Sequence, residues 1–164
     1  MSISKEKETL SYILLDYIEC AIHQILHIRN IYPSILFGRT SKYGTSLYQC
    51  RHIDINNFIR RVLTNTKELI SNNIIKQLKF VCINQYGNIK DEIVFEIINN
   101  NINSPNMGMG MDMDMDSNIE YDTNKLIQIE KDFRISLLRL SIQLENMSKF
   151  ETGKFECIYC CLYI

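Results

Sequence analysis

His23 and His27 lie four residues apart in a stretch of helical periodicity, a spacing that sets two imidazoles on one face where they could share a metal ion. An HExxH site would also need a carboxylate between them, and no third ligand is evident. Both are read as solvated or capping histidines. Asp112, Asp114 and Asp116 alternate like the first ligands of a calcium loop, but Ser117 stands where the glycine is required and the distal bidentate glutamate is missing. Cys157, Cys160 and Cys161 contain a C-x-x-C spacing, the element of a zinc knuckle or a thiol redox site. A knuckle needs a second ligand pair in sequence, and a redox pair needs a helix N-terminus, whereas Phe155 to Ile164 reads as an apolar strand. These cysteines are therefore expected to be buried strand thiols. No metal and no cofactor is expected.

The other signatures of catalysis are missing. The chain has no phosphate loop, no GxSxG elbow and no dinucleotide fingerprint, and its carboxylates are spread over polar faces rather than paired. No nucleophile stands beside a histidine in sequence, so the chain is read as a non-enzyme. The formal net charge is -1 with Lys and Arg dispersed, which leaves no electrostatic footprint for strong, direct binding to nucleic acid. No run of about 18 apolar residues is present to span a membrane, and no signal peptide is read at the start. The six cysteines sit mostly in apolar runs, as free core thiols of a reducing compartment would.

At 164 residues, 46% hydrophobic and 23% charged, the chain suits one domain over 1–164. A first helix is predicted from about Lys5 to Asn30, with Leu10, Ile13, Leu14, Tyr17, Ile18, Ala21, Ile22, Ile25 and Leu26 as its apolar face. Pro33 lacks an N–H and drives Tyr32 out of the helical region, so the helix must stop there. Tyr43-Gly44 is a turn signal, followed by a short strand over Leu47 to Cys50. Asp54 is the expected N-cap of a second helix ending near Ser71. Lys76 to Ile83 and Ile89 to Ile98 read as a hairpin turning at Gly87, the first strand central. Residues 99–122, through the MGMGMDMDMDS repeat, are predicted to be a flexible low-complexity loop. A third helix runs from Thr123 or Asn124 to about Met147 with two apolar seams. Leu126, Phe133, Leu137, Leu140 and Leu144 form one, and Ile127, Ile135, Leu138 and Ile142 the other. Two seams predict burial on two sides and the largest single contribution to the core.

The sequence IRNIYPSILF followed by KYG, then a helix, LKFVCIN, a short turn and EIVFEI, resembles the HORMA family in order and spacing over nearly the whole chain. Within that family the similarity is greatest to the accessory subunits of translesion DNA polymerase zeta. The resemblance implies an α+β fold with three helices packed on a mostly antiparallel sheet, the third helix between the sheet and the others. It implies a non-catalytic adaptor that holds a partner's short peptide by strand addition and wraps it with a C-terminal safety belt. The sequence stops at Ile164, where that belt would follow, and is read as lacking it. A truncated gene model, an alternative product or a reduced family member would read alike.

By the same resemblance, the partners are a peptide of the catalytic polymerase zeta subunit, the deoxycytidyl transferase of translesion synthesis and a second HORMA protein in a homo- or heterodimer. The compartment is the nucleus. Tyr32 falls on the family's corner tyrosine, and Phe58 where the peptide-lining aromatic is a tyrosine. Arg134 matches the arginine used for dimerisation. A spindle-checkpoint adaptor is the alternative, and a cysteine-based zinc or redox protein a third reading from a different class.

Overall fold

The computed structural model describes residues 2–72, 74–84, 86–97, 117–147 and 155–163, with side chains over 11–72, 74–83, 86–97 and 123–147. The elements run α1 (Ser2–Ile28), a 3-10 turn (Ser34–Leu36), β1 (Phe37–Lys42), β2 (Thr45–Cys50), α2 (Ile53–Ser71), β3 (Gln77–Asn84), β4 (Ile89–Glu96), α3 (Ser117–Asn146) and β5 (Phe155–Tyr163). The repeat within 99–116 lies outside the described residues, and with it the expected mobility. From Ser117 to Asp122 the chain is helix rather than loop.

The helix at the centre is α1. Every residue from Cys20 to Leu26 is buried, so this segment is covered all round and not on one stripe. It packs against α2, β2 and α3. That corrects the expectation that α3 lies between the sheet and the other helices and dominates the core. On α3 one seam is covered beyond its first turns, with Leu137 and Leu144 buried and Phe133 and Leu140 half-buried, whereas Leu126 is exposed. The second seam is open to solvent: Ile127, Ile135, Leu138 and Ile142 are 45%, 45%, 48% and 59% exposed. At 100° per residue the two seams lie roughly 150° apart around the helix, and α1 can cover only one of them.

The end of α1 is built by Asn30, which sits at a left-handed φ of 52°. Its N–H reaches His27 O at 3.0 Å, and Ile31 N–H reaches back to Leu26 O at 3.1 Å. This pair of bonds is a Schellman cap, so the helix is closed before the Tyr32-Pro33 corner is reached. Tyr43 and Gly44, with φ of 50° and 66°, make the two-residue turn that joins β1 to β2, with Lys42 opposite Thr45. Positive φ at both positions is what a type I′ hairpin requires. The strand β1 was not foreseen: GRTSK has no apolar alternation to mark it.

Asp54 is not the cap of α2. His52 holds the extended N-cap position without a side-chain bond, and Asp54 lies in the first turn, where its charge suits the helix dipole. In the second sheet the order is β4-β3-β5 with both pairings antiparallel, so β3 is central as its apolar run predicts. Leu78, Phe80 and Cys82 turn inward from β3 and meet Ile18, Ile22, Ile25 and Leu26 of α1 in the main core. The fold is α+β, three helices with antiparallel sheets.

One buried ion pair ties these layers. Arg29 Nε donates to Asp91 Oδ2 at 2.8 Å, with both side chains almost wholly buried. Its Nη1 donates to the carbonyls of Leu144 and Met147, each at 3.3 Å, at the end of α3. The last turn of α1, the strand β4 and the C-terminus of α3 thus meet on one guanidinium.

Candidate functional site

Between α1, α2 and the Tyr32 corner opens a pocket of about 210 Å³. Its floor is Ile22, Leu26, Ile59 and Phe80, all buried. Its walls are Tyr32, Ile55, Phe58 and Val62, and Asp54 stands among the lining residues with them. The α2 contributors recur at helical spacing (54, 55, 58, 59, 62), so one face of that helix forms a whole side of the pocket. Tyr32 reaches it because the Schellman cap and Pro33 turn the chain out of the α1 axis. Phe58 is 39% exposed, an aromatic ring left partly in water over an apolar hollow. The Arg61 guanidinium lies 6.0 Å from the Phe58 ring centroid.

Tyr32 and Phe58, chosen from the resemblance, are therefore neighbours in one concavity. A phenol, two phenyl rings and aliphatic side chains with a single carboxylate can desolvate an apolar side chain and orient it. Phe58 supplies area without a hydroxyl donor. Val62, Phe80 and Asp54 were not named as site residues from sequence. Val62 is legible as the next position on the Phe58 face of α2, but Phe80 comes from β3 and only the fold brings it in.

Arg134 is not part of this pocket. It is half-buried on α3, between the covered seam and the open one. Its Nη1 is 3.1 Å from where a Cβ on Gly44 would stand, so the guanidinium packs on the β1–β2 turn. Beside it Phe133 stacks on Tyr17 (4.3 Å between centroids) and meets Tyr43 edge-on at 5.4 Å. Lys42 Nζ and the Tyr43 hydroxyl both donate to the Asp16 carboxylate. Burial is the main cause that pushes the Tyr43 phenol above its ordinary range, reinforced by its bond to Asp16.

The two histidines are less solvated than expected, His23 being buried and His27 half-buried. His23 is buried and its Nδ1 accepts from Cys50 N–H at 3.5 Å. Its Nε2 faces Glu19 Oε1 at 3.8 Å, and Arg60 Nε lies 3.5 Å from the same oxygen. His23, then Arg60, hold the Glu19 carboxyl below its ordinary value against desolvation. His27 stacks on Tyr48, with centroids 3.5 Å apart, and meets the edge of Phe37. Burial, then Arg39, lowers its pKa. Together with Gln24, whose Nε2 donates to Tyr48 O at 2.9 Å, these side chains seat the β1–β2 hairpin on α1.

Cys20, Cys50 and Cys82 are buried free thiols; burial pushes Cys20 up to about 11 and Cys82 up to about 12. Among the described residues no three His, Cys, Asp or Glu side chains could hold a metal ion. The segment of Cys157, Cys160 and Cys161 is the strand β5, as expected, with Cys160 opposite Phe80; those three side chains lie outside the described set.

No protein-family model matches the chain. It is 33% identical over 90 residues to the mitotic spindle assembly checkpoint protein MAD2B of Danio rerio, an alignment covering 55% of this chain and 43% of that protein. It is 29% identical over 80 residues to the DNA polymerase zeta processivity subunit of Schizosaccharomyces pombe, covering 49% and 38%. The matched stretch thus spans less than half the length of these relatives. Among solved structures, a chain in the crystal structure of a mitotic checkpoint complex superposes with a TM-score of 0.73 at 16% identity, over 96% of this chain and 72% of that one. The C. elegans protein HTP-2 bound to a HIM-3 closure motif superposes with a TM-score of 0.64 at 11% identity, over 96% and 70%.

Proposed function

We propose, from the premise that this chain is a HORMA-family member similar to the MAD2B and polymerase zeta subunits, that it is a non-catalytic adaptor holding a partner's peptide at the Tyr32–Phe58 pocket. The observation that carries this reading is the pocket itself, with the two aromatics at its wall and an apolar floor on α1 and β3. One relative is named as a polymerase zeta processivity subunit and another as polymerase zeta subunit 2, which supports assembly of that polymerase; translesion synthesis in the nucleus is part of the same proposal. The partners are then a peptide of the catalytic polymerase subunit and the deoxycytidyl transferase. A second HORMA protein would meet the open seam of α3 beside Arg134, a stripe of apolar side chains wide enough for another helix.

The checkpoint reading keeps the same pocket and changes the partner; the name carried by the MAD2B relatives favours it. Affinity purification of the tagged chain from its own cells separates the two. Recovery of the polymerase catalytic subunit is the expected result, and recovery of checkpoint proteins alone would reassign the pathway. Metal analysis of the same purified protein is expected to find no stoichiometric zinc; one zinc per chain would return Cys157, Cys160 and Cys161 to consideration.

A further inference from the structure

The pocket takes an apolar side chain, but its surroundings are charged in an ordered way. Asp54, Phe58 and Arg61 stand at successive turns of α2, acid, aromatic and base along one stripe. The Asp54 side chain is 84% exposed, with His52 Nδ1 3.9 Å from its carboxylate. Arg61 is exposed, with its guanidinium by the Phe58 ring. The side chains of Arg60 and Arg51 are directed elsewhere. Arg60 turns to Glu19, and Arg51 fills the space that a Cβ on Gly38 would need. Along α2, Phe58 thus stands between one exposed carboxylate and one exposed guanidinium.

We propose that the pocket selects a peptide whose apolar anchor is flanked by opposite charges, a base facing Asp54 and an acid facing Arg61. This rests on the peptide-adaptor reading above and adds the chemistry of the occupant. At 1.5 Å per residue Asp54 lies about 6 Å from Phe58 along α2, and Arg61 about 4.5 Å beyond it. An extended peptide advances about 3.4 Å per residue, so the base falls about two positions from the anchor and the acid about one position on the other side. Side chains at such an open rim discriminate between partners more than they add affinity. The complementary sequence is base, spacer, apolar anchor, acid, read along α2.

The test uses the full chain and fluorescein-labelled synthetic peptides centred on leucine, proline or phenylalanine. Each anchor is made in three versions: lysine and glutamate flanks, two lysine flanks, and two glutamate flanks. Exposed charge pairs contribute modestly, so each matched flank is expected to tighten binding about threefold. The mixed version should therefore bind best to the wild-type chain. Asp54→Lys should make the double-glutamate peptide the best ligand, and Arg61→Glu the double-lysine peptide. Equal binding of all three versions, or one ranking in all three proteins, would overturn the charge rule while leaving the peptide reading intact, provided Phe58→Ala abolishes binding. No binding by any peptide, or binding indifferent to Phe58→Ala, would overturn the pocket reading and the charge rule together.

Discussion

The α2 face and the α3 face both leave apolar side chains in water, yet they differ in shape. On α2, Phe58 overhangs a hollow whose floor combines α1 and β3 with Ile59 of α2. On α3, Ile127, Ile135, Leu138 and Ile142 form a convex stripe along one helix. A hollow can enclose one side chain of a flexible peptide and strip its water; a convex stripe can only meet another surface. Exposure alone would have ranked the α3 stripe first, since its residues are more open than Phe58. Concavity reverses that ranking, and it is why the proposed peptide site is placed on α2.

The largest effect is expected where α3 is tied to α1, the helix that contributes Ile22 and Leu26 to the pocket floor. Asp91→Ala leaves Arg29 buried without its carboxylate, and the cost of stranding such a charge is about 3–5 kcal/mol. Urea unfolding should show that loss, and with it both the pocket and the α3 face should loosen. A change below about 1 kcal/mol would mean that Arg29 finds water or another partner, so the faces are coupled less than the ion pair implies.

That junction also marks how far the sequence could be read. Helical periodicity located α1, α2 and α3, and the apolar run of β3 marked it as the central strand. The pairing of Arg29 with Asp91 spans 62 positions in the chain, and nothing local to either residue announces it. The two seams of α3 are legible, but which neighbour covers each depends on packing, and α1 holds the centre because its 20–26 segment is buried all round, with His23 and Gln24 bonded to β2. Tyr32 and Phe58 were reached only through the family resemblance; their placement on one hollow required the fold. Asp54 was legible as a helix-start residue, but its position among the pocket residues was not.

A smaller effect separates the faces. Phe58→Ala should cost roughly 1–2 kcal/mol of stability, because the ring is partly exposed already, yet weaken peptide binding at least tenfold. On the other face, Leu138→Glu with Ile142→Glu should leave peptide affinity within about twofold and weaken any self-association by tenfold or more. Sedimentation velocity and peptide anisotropy on the same samples read both. If the α3 variant lost the peptide and kept its oligomeric state, the roles assigned to the two faces would be exchanged.

The smallest effect concerns how the β1–β2 hairpin is seated. His27 is held below its ordinary value of 6.5, first by burial and then by Arg39. The unfolded chain therefore binds a proton at a higher pH than the folded one, so stability is full above the unfolded value and declines as pH falls below it. His27→Gln should flatten the decline between about pH 7 and pH 5, by a fraction of a kcal/mol given the partial exposure. An unchanged pH profile would remove His27 from that role and leave Gln24 and His23 to hold the hairpin.

The central claim is that the hollow beside Phe58, and not the stripe on α3, receives the peptide. Methyl-labelled isoleucine gives reporters on both, with Ile55 and Ile59 in the pocket and Ile127, Ile135 and Ile142 on the stripe. Titrating the lysine–glutamate peptides into the full chain should shift the Ile55 and Ile59 methyl signals to saturation. The stripe signals should stay in place, and Phe58→Ala should erase the response. Shifts confined to Ile127, Ile135 and Ile142, or a pocket response that survives Phe58→Ala, would contradict it.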